Sequence, residues 1–102
     1  MRTLTEAIDS LALKGYVQHF GVMHGTLRDF QTDMVFSPDR AFIREYERFE
    51  GISDPDDMSI VYAIETANGT RGTLVDAFGA YSDPLIGALL EDMAIVPRHP
   101  VQ

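Results

Sequence analysis

Asn68-Gly69 lies between two β-branched and aromatic runs, and this arrangement constrains the fold more than any other feature of the chain. Asn and Gly both tolerate positive φ, which a tight antiparallel turn requires, so the pair predicts a hairpin. Ile60-Val61-Tyr62-Ala63-Ile64 before it reads as a buried strand, and Thr73 to Tyr81 as the returning strand. Upstream, Glu45-Tyr46-Glu47-Arg48-Phe49-Glu50 alternates in the strand period and Gly51 closes it. Phe42, Ile43, Tyr46 and Phe49 also suit a helix. We read one helical turn near Asp39, signalled by Ser37-Pro38, and then a strand from about Arg44 to Gly51. These three strands make an antiparallel meander.

Two helices flank it. Thr3 and Glu6 stand at capping-box spacing, Leu4, Ala7, Ile8, Leu11 and Ala12 share one face, and Gly15 ends a helix of about Leu4 to Lys14. Asp83-Pro84 starts the second, with Leu85, Ile86, Leu89, Leu90 and Met93 on one face and Pro97 and Pro100 to stop it. Between the first helix and Ser37, Phe20 to His24 and Phe30 to Phe36 alternate as short strands, and Gly25 to Asp29 suits a turn or further extended chain. The expected fold is α+β: an antiparallel β-sheet, a three-stranded meander plus one or two short strands, with N- and C-terminal helices covering one face. Its 102 residues suit one domain, residues 1–96, with 97–102 a loose tail.

Sixteen acidic residues against eight basic ones give a net charge of −8, with one lysine, Lys14. Phosphate binding needs clustered Lys and Arg, so nucleic-acid and anionic-membrane partners are not expected. The chain has no cysteine, which removes disulfides, thiol nucleophiles and thiolate metal sites. The N-terminus carries no apolar signal run and no stretch reaches the roughly 20 apolar residues of a membrane helix, so a cytoplasmic location is expected.

Carboxylates are the candidate chemistry. Counting from Asp54, the loop with Asp56 and Asp57 puts Glu65 at the twelfth position of a calcium loop, but Pro55, Met58 and Ser59 break that pattern. We read a turn shaped by Asp and Pro. Glu45, Glu47, Glu65 and Asp76 come from adjacent strands and could converge on one face to bind a metal or a small molecule. Arg44, Arg48 and Arg71 can instead pair with them across strands, which is the reading favoured here. Asp76 sits within the apolar run Leu74 to Phe78, and Arg48 is its expected partner. His19 and His24 are expected on opposite strand faces, where they cannot share a metal, and His99 lies in the tail. No cofactor motif is present.

Three pieces together, Tyr46 to Asp57 with its Arg48-Phe49-Glu50-Gly51 and Asp54-Pro55-Asp56-Asp57 motifs, Ile60 to Ile64, and Gly72 to Tyr81, resemble a family of small bacterial proteins often labelled phosphoribosylpyrophosphate synthetase. The resemblance covers most of the chain after Ile43 and the opening helix, and implies a fold without an activity. Enzymes that bind phosphoribosylpyrophosphate end a strand in two acidic residues followed by a Gly/Thr-rich loop. Here Asp76 is followed by Ala77 and no such loop comes after, so synthetase activity is not expected.

The expected function is a non-catalytic interaction domain that self-associates as a homodimer, because Ile60 to Ile64 and Leu74 to Phe78 are too apolar for a sheet with one wet face. The alternative is a small-molecule or metal-binding domain built on the carboxylates. Millimolar Ca²⁺ or Mg²⁺ should leave the melting temperature unchanged. A rise of several degrees that Asp56→Ala abolishes would overturn the turn reading, since a ligand at a hundred times its Kd adds about 2.7 kcal/mol.

Overall fold

A computed structural model describes residues 3–49, 59–77 and 83–96. Helix α1 (Leu4–Leu13) begins at the capping box: Thr3 Oγ1 accepts from the Glu6 N–H at 3.2 Å, and Glu6 Oε1 accepts from the Thr3 N–H at 2.9 Å. Gly15, at φ +101°, turns the chain out of it.

Strand β1 (Gln18–Met23) then folds back on β2 (Thr26–Asp29) through His24 and Gly25, at φ +51° and +75°. Two left-handed residues match the twist of the paired strands, so this is a two-residue hairpin. Histidine disguises it, because Asn or Asp usually fills that first position. The strand expected over Phe30 to Phe36 is therefore mostly turn, and only β3 (Val35–Phe36) pairs, antiparallel to β2.

The helical turn near Asp39 is Pro38–Arg40, but the Ser37 hydroxyl bonds to the Asp39 carboxylate rather than capping it. Strands β4 (Ala41–Phe49), β5 (Ser59–Thr66) and β6 (Arg71–Ala77) follow, each antiparallel to the last. The Asn68-Gly69 turn holds four residues, 67–70, and Gly69 alone takes positive φ, +89°. Thr66 locks it, its N–H donating to the Thr70 carbonyl at 2.8 Å and its Oγ1 accepting from the Thr70 N–H at 3.2 Å. Helix α2 (Pro84–Glu91) is capped by Asp83, whose carboxylate accepts from the Leu85 N–H at 2.9 Å. It stops before Pro97, because the chain turns into strand β7 (Ala94–Ile95).

The antiparallel sheet of three main strands is corrected by the topology. Seven strands run in the order β3-β2-β1-β6-β5-β4-β7, and the sheet is mixed: β1 lies parallel to β6, and β7 parallel to β4. Both parallel contacts join residues far apart in sequence, so no local turn chemistry announces them. The helices are corrected too. Along β5 alternate side chains face opposite ways, and each face has its own helix. Ala7 and Leu11 of α1 pack with Tyr16, Val61 and Ala63, while Leu89 of α2 and Met93 just after it pack with Phe20, Leu27, Ile43, Ile64 and Leu74. Of the apolar runs that suggested a shared dimer face, Ile60 to Ile64 is thus largely covered within the chain, as is Leu74, whereas Val75 stays 39% exposed. Residues 97–102 lie outside the described set. No helix among the described residues is long and apolar enough to cross a membrane.

Tyr16 is buried under α1 with the Arg71 guanidinium 5.7 Å over its ring, and its hydroxyl has no hydrogen-bond partner among the described residues. An unpaired buried hydroxyl costs about 1–3 kcal/mol. Tyr16→Phe should hold or raise the urea midpoint, and a loss of about 1 kcal/mol would show that the hydroxyl is bonded.

Candidate functional site

The sheet separates Asp76 from the other three carboxylates that the sequence grouped. A bulge at Arg44 shifts the ladder from Ile43 opposite Ile64 to Glu45 opposite Ala63, which places Glu45, like Glu47 opposite Val61, on the α1 face. Glu65 shares that face. Asp76, in register with Ile60 and through it with Arg48, lies on the other. The four therefore do not converge. Glu65 is bridged by Arg44 at 3.1 Å and Arg71 at 3.5 Å, and Glu45 meets Lys14 at 3.4 Å. The two bridges to Glu65 run across strands, and the one to Glu45 comes from the end of α1.

Asp76 is half-buried and accepts the Asp83 N–H at 3.1 Å, so it holds the entry to α2. It also acts on Tyr62, whose phenol is pushed up first by burial and then by the Asp76 charge, against the lowering effect of Arg48. No group of three or more metal-ligating side chains occurs among the described residues. Gly51, Asp54, Asp56 and Asp57 lie outside them. His19 Nδ1 stands 3.4 Å from Thr73 Oγ1, and His24 sits in the β1–β2 turn rather than on a strand face.

The sequence reading missed Asp29. It ends β2 with no exposed surface, a buried charge that needs a full set of partners. Gln18 Nε2 donates to both carboxylate oxygens, at 3.1 and 2.9 Å, and the N–H groups of Gln31 and Thr32 donate at 2.9 and 3.4 Å. Its main chain is used as well: the Asp29 N–H donates to the Met34 carbonyl at 2.9 Å, and the Asp33 N–H to the Asp29 carbonyl at 2.8 Å. Burial is the largest single influence on the carboxyl and would raise its pKa. The hydrogen bonds from Gln18, Gln31 and Thr32 together outweigh it and hold the pKa below the ordinary value.

The carboxylate therefore templates the turn from Phe30 to Asp33. His19 clamps the same turn, its carbonyl accepting the Phe30 N–H and its N–H donating to Gln31 Oε1, both at 2.9 Å. Asp33 takes φ +61° and pairs with Arg28, and the Arg28 guanidinium lies 5.8 Å over the Phe30 ring. The Phe30 ring lies directly over Gly21, so a side chain there would have to push the ring aside. The local signal was an Asp followed three residues on by Thr, a pattern in which the side chain bonds its own backbone.

This fixed turn and the chain that leads from it into β3 expose apolar side chains: Phe30 is 58% exposed, Met34 45% and Val35 52%. A cleft of about 270 Å³ opens beside it, lined by Val35, Phe36, Ser37, Arg40, Ala67 and Asn68. The Gln18, Gln31 and Thr32 donors around the Asp29 carboxylate are all engaged with it. Searches of protein families, of curated proteins and of solved structures found no match to this chain.

Because the folded pKa of Asp29 is depressed, its stabilisation is complete above its unfolded pKa of about 3.9 and is lost as pH falls through the folded value. Asp29→Asn keeps one oxygen for the Gln31 and Thr32 N–H groups but sets its NH2 against the Gln18 Nε2 donor that Oδ2 now accepts, and should cost about 1–3 kcal/mol at pH 7. The urea midpoint of the variant should fall less steeply below pH 4 than that of the parent. Equal slopes would assign the acid sensitivity to other carboxylates.

Proposed function

We propose that this chain is a small non-catalytic interaction domain that self-associates as a homodimer. The observation that carries this reading is that Phe30, Met34 and Val35 are all exposed on, or directly after, a turn that a buried, hydrogen-bonded aspartate holds in place. Single exposed apolar side chains are ordinary, whereas three within a few residues on a pre-ordered support lose little entropy when they are covered. The resemblance of residues 46–57, 60–64 and 72–81 to the small bacterial family goes with this proposal and lends it no chemistry.

Light scattering at tens of micromolar should return twice the monomer mass of 11.4 kDa. A monomer mass that persists to several hundred micromolar would sink the reading.

A further inference from the structure

We propose that two copies join edge to edge along β3, with Val35 opposite Val35, so that one sheet runs through a two-fold axis. This rests on the self-association reading above and names its surface.

The main chain supplies the first argument. In an antiparallel pair, successive residues turn their N–H and C=O groups alternately toward the partner strand and away from it. Arg28 is in register with Val35, and the Asp29 N–H donates to the Met34 carbonyl, so Met34 and Phe36 face β2. Val35 then turns its N–H and C=O outward. Among the described residues no strand lies beyond β3. An outward residue on a free edge is self-complementary about a two-fold axis, because the N–H of each copy meets the carbonyl of the other.

The side chains supply the second. Antiparallel pairing centred on residue 35 opposes Met34 with the second copy's Phe36, and residue 33 with its residue 37. The turn carrying Phe30 and Asp33 therefore comes beside the second copy's Pro38–Arg40 turn and the cleft next to it. Asp33 and Arg40 are both exposed and opposite in charge. A two-residue edge is too short to hold a dimer by its ladder alone. Burial of Phe30, Met34 and Val35 on both copies provides the rest.

Charge supplies the third. Residues 10–40 hold three basic groups (Lys14, Arg28, Arg40) and three acidic ones (Asp29, Asp33, Asp39), so this stretch is neutral and the whole −8 lies elsewhere. Two acidic copies can meet there without net repulsion. The opposite edge, at Ile95 and Val96, also exposes apolar side chains but leads directly into residues outside the described set.

The chain has no cysteine, so Val35→Cys introduces a single thiol. Residues that exchange both hydrogen bonds across antiparallel strands have Cα atoms about 5.5 Å apart, within the span a disulfide bridges. Under mild oxidation Val35→Cys should become a covalent dimer at low micromolar concentration, while Leu13→Cys, on the exposed end of α1, should not. Met34→Lys, with folding verified by circular dichroism, should raise the dimer Kd at least tenfold. A parent dimer in which Val35→Cys crosslinks no faster than Leu13→Cys, or Met34→Lys leaves Kd unchanged, overturns this surface and leaves self-association standing. A monomeric parent overturns both.

Discussion

The contact of β1 with β6 makes one sheet out of two antiparallel ladders, and Gly72 is what allows it. A Cβ at that position would collide with the Gln18 carbonyl and lie 2.8 Å from the Phe20 ring. Gln18 pairs with Gly72 and His19 with Thr73, and these two positions are the whole parallel junction. Phe20 beyond it meets Phe36 edge-on at 6.5 Å and shares the α2 core with Leu74 and Ile64. The order of the sheet and the α2 core thus both depend on a position where only hydrogen fits.

The same short segment governs the candidate site. Gln18 holds the junction with its main chain and Asp29 with its side-chain amide. His19 pairs with Thr73 on one side and binds the Phe30 turn on the other. The exposed trio is therefore tied to the centre of the fold through two adjacent residues and a buried carboxylate. An aspartate accepting several donors in a low-dielectric setting is strongly directional, and it turns a loop into a fixed platform.

Helices on opposite faces change what the hydrophobic strands mean. Ile60 to Ile64 is apolar on both sides because α1 covers Val61 and Ala63 while α2 packs over Ile64. That demand of β5 is met within one chain. On the proposed reading a second copy has its place at the edge of the sheet, where apolar side chains remain exposed beside a cleft. The acidic side chains meanwhile serve the sheet, with Glu65 between Arg44 and Arg71 and Asp76 at the entry to α2.

What the sequence determined by itself is local. Thr3 and Glu6 set the start of α1, Asp83-Pro84 the start of α2, Pro38 the short helical turn, and Asn68-Gly69 the link between β5 and β6. Each is an interaction among residues a few positions apart, so the chain states it directly. The parallel contacts, the opposed helices and the separation of Asp76 from the other carboxylates were decided by tertiary structure. A one-residue bulge at Arg44 and a close approach at Gly72 fix which face each strand presents, and neither has a local signature. The role of Asp29 lies between these cases. Its bonds to Gln31 and Thr32 are local, but the Gln18 amide that completes its burial comes from the neighbouring strand, and only the paired sheet brings it there.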